Sequence, residues 1–144
     1  VGSEMCIRDR ISYYFLNTGV PTRMICNGSD CITDQVAVIP TGSGLRHVNA
    51  IAEVLARIDL TRTVVSCTDQ LHELTNKMAN STSAPLYIMI SNSMSNSLQD
   101  AFEQLIKTGS SAMWIAPLYE DMELRVRKIP NMDIIRWEVN KYEN

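Results

Sequence analysis

Leu86-Tyr87-Ile88-Met89-Ile90 and Ala112-Met113-Trp114-Ile115-Ala116 are the two stretches that decide the fold. Each is apolar at every position rather than alternating, the pattern of a strand covered on both faces by helices. Between them a polar turn, residues 91–96, runs into Ser97-Leu98-Gln99-Asp100, which has the form of a capping box. Ala101, Phe102, Leu105 and Ile106 then share one helical face until Gly109 ends the helix. Strand, helix and strand in this length predict a right-handed parallel crossover. The strand over 86–90 reads as central in its sheet.

Toward the N-terminus, Ser66-Cys67-Thr68-Asp69 is a second capping box, and Leu71, Leu74 and Met78 form an apolar stripe behind it. Leu45, Val48, Ile51, Ala52, Leu55 and Ile58 recur at helical spacing, with Arg46, Asn49, Glu53 and Arg57 on the other faces. Two short strands are expected earlier. One is Thr22 to Cys26, closed by the turn pair Asn27-Gly28, and the other is Val36 to Ile39, before Pro40. Ile11 to Leu16 reads as the end of a helix, with Gly19 suited to its left-handed closing position. Toward the C-terminus, Asp133 to Val139 follows the turn Pro130-Asn131 and alternates in part, as a strand nearer the sheet edge would. The predicted fold class is α/β, three-layered, with a mainly parallel sheet.

The opening residues, Val1-Gly2-Ser3-Glu4-Met5-Cys6-Ile7-Arg8-Asp9-Arg10, resemble translated sequencing-adapter read-through and are expected to be non-native and no part of the fold. Residues 11–144 are then expected to be one domain or most of one. With 45% hydrophobic and 20% charged residues, the composition is that of an ordinary globular protein. A net charge of −3 with scattered Lys and Arg provides no electrostatic footprint for nucleic acid. The longest apolar runs are about five residues, against roughly 20 needed to span a bilayer, so this piece is expected to be soluble and to make no membrane contact. Cys26, Cys31 and Cys67 are odd in number and irregular in spacing, which argues against a disulfide framework and for a reducing compartment. Neither His47 nor His72 stands at finger spacing from Cys26 and Cys31, and the sequons at Asn27 and Asn80 read as polar turns.

Two turns are candidate sites. In an open parallel sheet, ligands bind beyond the carboxyl ends of the strands, which favours Ser91-Asn92-Ser93-Met94-Ser95-Asn96-Ser97. Its hydroxyl and amide oxygens suit Mg²⁺, and the start of the next helix suits an anion. The same residues also make sense as a plain turn in which Ser97 caps the helix. The second candidate is Ser43 and Gly44, an anion-binding position ahead of a helix, because glycine lets backbone N–H groups approach phosphate. Leu45-Arg46-His47 stands where a phosphate-binding loop needs Lys-Ser/Thr, and Ser43 as an ordinary N-cap explains the pattern without a ligand. His47 has no carboxylate or nucleophile that can be placed beside it, and no serine stands in a Gly-x-Ser-x-Gly elbow.

Gly42-Ser43-Gly44-Leu45-Arg46-His47, followed by residues 52–60, is similar to the bacterial domain-of-unknown-function fifty-eight family, which resembles the von Willebrand factor A fold, a Rossmann-like architecture. The likeness extends through residues 86–92, the helix after Leu98, Trp114-Ile115-Ala116-Pro117 and Ile134-Ile135-Arg136-Trp137. It rests on the order and spacing of these stretches. It implies that the first strand, with the Asp-x-Ser-x-Ser turn of a metal-ion-dependent adhesion site, is missing and that the chain is truncated at its N-terminus. A truncated piece of this kind is expected to be unstable or to aggregate, because flanking strand edges lose their cover. The family's later Asp corresponds to the pair Ser91-Asn92, where Asn replaces Asp. A neutral amide lacks the charge that helps to dehydrate Mg²⁺, so no cofactor is expected in this piece, and Mg²⁺ belongs at most to the full-length parent.

The resemblance further implies a non-catalytic protein-interaction module working with a MoxR-type AAA+ ATPase. It would be a cytoplasmic domain of a parent attached to the bacterial inner membrane by upstream helices. The alternative from the residues alone is a small α/β enzyme or binding domain holding a phosphorylated ligand at Ser43-Gly44 and residues 91–97, which requires both turns on one sheet edge.

Overall fold

A computed structural model of the chain describes residues 2–63 and 65–140. The backbone divides into two compact units, Val1–Ser66 and Cys67–Asn144. The architecture is mixed α/β. Among the described residues no helix is long and apolar enough to cross a membrane.

In the first unit, α1 (Gly2–Asn17) is followed by β1 (Thr22–Asp30), β2 (Val36–Gly42), α2 (Leu45–Ala56) and β3 (Ile58–Thr63). Residues 2–10 belong to the same continuous helix as 11–17, with Ile7 buried, while Val1 lies outside the described residues. The helix stops as its sequence requires. Gly19 has φ 82°, its N–H reaches the Leu16 carbonyl at 3.1 Å, and the Val20 N–H reaches the Phe15 carbonyl at 2.9 Å. That pair of bonds is the Schellman closure, which needs a residue tolerant of positive φ.

The sheet order is β2-β1-β3, and both pairings are antiparallel, unlike the mainly parallel sheet expected from the sequence. Two local expectations from the sequence do not hold. Asn27-Gly28 is not a turn: β1 runs through it, and a Cβ at Gly28 would come within 2.7 Å of Ile58 Cγ2 on β3. Its glycine is needed for close strand approach instead of reversal. The reversal comes later, where the Asp30 carboxylate accepts from the N–H groups of Ile32 (2.8 Å) and Thr33 (3.4 Å), and Asp34 takes φ 57°. Finally, Ile58 does not extend α2 but opens β3, a strand that the helical periodicity had concealed. Pro40 lies on β2 at the sheet edge, where a missing N–H costs no ladder bond. Leu16, Met24, Ile39 and Ile51 form this unit's buried core.

The second unit contains α3 (Cys67–Met78), β4 (Leu86–Ile90), α4 (Asn96–Ile106), β5 (Ser111–Tyr119) and β6 (Met132–Val139). Its sheet has the order β4-β5-β6 and is parallel throughout, with Ile90 opposite Ile115 and Ile115 opposite Ile135. The β4–α4–β5 crossover is therefore parallel, as the sequence predicts, and β6 lies at the edge. The central strand, however, is β5. β4 is an edge strand among the described residues, and Leu86 at its start is 46% exposed, so the cover on both faces expected from the apolar run holds only toward its end, at Met89 and Ile90.

Trp114, Ala116 and Leu118 on β5 are fully buried against Leu98, Ala101, Phe102 and Leu105 of α4 and Leu71 of α3. Phe102 meets Trp114 edge to face, with ring centroids 5.7 Å apart, a favourable aromatic arrangement. Pro117 is tolerated in the central strand because β4 has already ended opposite Ile115, so only β6 pairs beside it. From β5 to β6 the chain crosses over through residues 120–131 without a helix.

Candidate functional site

The favoured turn follows β4 directly, at the carboxyl edge of the parallel sheet. Its first residue is locked into the strand ends. The Ser91 N–H donates to the Ile115 carbonyl (3.1 Å), the Ser91 carbonyl accepts from the indole N–H of buried Trp114 (3.2 Å), and Ser91 Oγ accepts from the Ser93 N–H (3.1 Å). Asn92 and Ser93 are exposed beyond it. The structure thus keeps the sequence-predicted pair Ser91 and Asn92 adjacent, with the Ser91 hydroxyl already engaged inside the turn.

The helix cap differs from the one read in the sequence. Ser95, not Ser97, is the N-cap of α4, with extended φ/ψ of −64° and 148° and its side chain accepting from the Leu98 N–H at 3.3 Å. The register shifts because the helix begins at Asn96, two residues earlier than the capping-box reading requires. Ser97 occupies the first turn and shares a 3.3 Å contact with Ser95 Oγ.

Below the turn lies a residue that the sequence did not single out. Gln99 is 2% exposed on the inward face of α4. Its Nε2 donates to the carbonyls of Met94 (2.9 Å) and Arg125 (3.2 Å), and its Oε1 accepts from the Arg127 N–H (2.9 Å). The Arg125 N–H also reaches Met94 Sδ at 3.1 Å. Outside this network, the Arg127 guanidinium donates to Asp100 (2.5 Å) and Glu103 (2.8 Å) of α4, and these two carboxylates, Asp100 foremost, push its pKa up. On the far side of the crossover, Arg136 of β6 donates to the carbonyls of Tyr119, Met122 and Glu120 and pairs with Glu138. The arrangement presents two backbone segments, 91–96 and 119–127, each fixed by buried or half-buried side chains. No sequence signal distinguishes Gln99 from any polar residue within a helix; its burial is what reveals it.

As a metal site, the turn supplies hydroxyl oxygens and one neutral amide. Among the described residues no three His, Cys, Asp or Glu side chains stand close enough together to hold an ion. Neutral oxygens alone are a poor match for Mg²⁺, which gives up its water reluctantly and is usually held through carboxylates.

The second candidate turn belongs to the other unit. Gly44 has φ 83° and is itself the N-cap of α2, with no side-chain capping bond, so Ser43 is not the cap that the sequence reading assigned. Ser43 and Gly44 are both exposed. His47 is held rather than poised: its Nε2 lies 2.9 Å from the Thr22 carbonyl, and its ring covers Gly42, where a Cβ would fall 2.6 Å from Nδ1. A carbonyl can only accept, so Nε2 carries the proton in this geometry. His72 is exposed on α3. Cys26 is buried and Cys31 exposed.

No family model, curated protein or solved structure matches the chain.

Proposed function

We propose that this chain is the carboxyl-terminal part of a von Willebrand factor A-like module of the domain-of-unknown-function fifty-eight type, its first strand lying outside this sequence. In this reading it works by holding a protein partner and carries no catalytic step. The partner is a MoxR-type AAA+ ATPase, and the parent is attached to the bacterial inner membrane with this domain in the cytoplasm. The observation that carries the reading is the turn at the carboxyl edge of β4. It is braced from beneath by Trp114 and Gln99 and presents exposed Asn92 and Ser93. A braced polar turn at that edge of a parallel sheet is where such folds engage ligands. The family resemblance supplies the identity of the partner.

The reading is tested by capture of the tagged full-length parent from its own membranes, followed by immunoblotting for the ATPase. Retention of the ATPase, reduced about tenfold by Asn92→Ala, is expected; that loss corresponds to roughly 1.4 kcal/mol, within the range of a single interface residue. Recovery of the parent without any ATPase would overturn the partnership. Equal retention by the variant would remove the turn from the interface.

A further inference from the structure

We infer that Gln99 is a positioning residue that joins the 91–96 turn and the 123–127 strip into a single recognition surface. An amide buried to 2% exposure is unfavourable unless its polar atoms are satisfied, and an apolar side chain would suit a helix face otherwise made of Leu98, Ala101, Phe102, Leu105 and Ile106. Gln99 meets that cost with bonds to backbone on two separate segments, Met94 on one side and Arg125 with Arg127 on the other. A second tie, from the Arg125 N–H to Met94 Sδ, joins the same two segments directly.

The strip needs such a tie because the β5–β6 crossover has no helix to satisfy its own backbone. Leu124 and Val126 pack toward the core while Glu123, Arg125 and Arg127 face outward. The strip is therefore a second exposed wall beside the Asn92 turn. A partner that engages one wall meets the other in a fixed relation, although Gln99 itself is too deeply buried to be touched. This rests on the interaction-module reading above for the nature of the partner, and on the geometry alone for the coupling.

The test is hydrogen exchange on the intact chain together with the near-isosteric variant Gln99→Met. In the variant, amides of 91–96 and of 123–127 should both exchange about tenfold faster, the scale of one lost hydrogen bond, while those of 112–116 in β5 keep their protection. Acceleration of only one segment, or of the whole unit equally, would overturn the coupling. Should Gln99→Met fail to fold, the unaltered chain in graded denaturant decides the matter: the two segments should open with one common dependence, and separate openings would refute the inference.

In the parent, Gln99→Met should also cut ATPase retention about tenfold with Asn92 in place, whereas undiminished retention alongside two deprotected segments would sink the recognition role. If the unaltered parent retains no ATPase, the partnership fails, and the exchange data still decide the coupling by themselves.

Discussion

At Gly109 the chain passes so close to Pro85 that an added Cβ would stand 2.6 Å from the Pro85 carbonyl oxygen and 2.6 Å from the Tyr87 ring. That carbonyl is held by the Ser110 N–H at 3.0 Å and cannot easily give way. Gly109→Ala should therefore destabilise the second unit by about 1–3 kcal/mol, the usual cost of overpacking, measurable as a lowered urea midpoint. A variant as stable as the parent chain would show that the β4 entry is more yielding than described. Asp30 offers a test by pH. The Ile32 N–H is the main influence lowering its carboxyl pKa; burial opposes it, and the Thr33 N–H and Arg57 guanidinium add to the lowering. A carboxyl whose folded pKa lies below its unfolded value of about 3.9 contributes stability above that value and loses it as pH falls through the folded one. The first unit should weaken on acidification below about pH 4, and Asp30→Asn should flatten that dependence in urea titrations followed by exchange of the β1 amides. Parallel pH profiles for the two chains would refute this. Sequence exposed little at this scale. Asp30 and Gln99 act through what surrounds them, and neither carries a local pattern that announces it, whereas Gly19 was legible because helix closure demands positive φ at that position.

Elements were more readable than their junctions. β5 and α4 emerged from the sequence because uninterrupted apolar runs and 3.6-residue periodicity report burial directly. β3 did not, since Ile58 continues the stripe of α2 in register and the alternation begun by Ile58 and Leu60 is cut short at Arg62. β4 was legible as a strand but not as an edge, because an apolar run records what covers the two faces and is silent about what pairs alongside. The start of α4 gives the element-scale prediction. Ser95→Ala should cost about 1 kcal/mol by removing the acceptor for the Leu98 N–H, and Ser97→Ala markedly less. Thermal denaturation of the two variants side by side checks this, and a larger loss at Ser97 would restore the cap read from the sequence. The same comparison bears on the candidate turn, which Ser95 ends: that a turn lies between β4 and α4 was legible from the strand-to-helix order, while its bracing by Trp114 and Gln99 was not.

For the molecule as a whole, each buried core is built from residues of one unit. Ile51 belongs to the first, with Leu16, Met24 and Ile39, and Leu105 to the second, with Phe102 and Trp114. Ile51→Ala and Leu105→Ala should each cost its own unit about 2–5 kcal/mol, and because each lies in a core built from its own unit's residues, the double variant should lose in each unit what the single variant loses there, to within about 0.5 kcal/mol. Exchange would locate the damage: Ile51→Ala should deprotect β1 and β2 and leave β5 intact, with the converse for Leu105→Ala. Strong coupling between the two would show that the units fold as one.

The β5–β6 crossover has a consequence for heredity. Most parallel crossovers are drawn as helices, and a helix resists insertion because every added residue rotates its inner face out of register. This one is pegged by side chains near its two ends, Arg136 gripping residues 119–122 and Gln99 gripping 125–127. Between the pegs, around Glu123, the chain can lengthen or change composition while the sheet beneath stays as it is. Descendants of this gene have there a place to try new surfaces at small risk to the fold, provided that a glutamine and an arginine remain where they are.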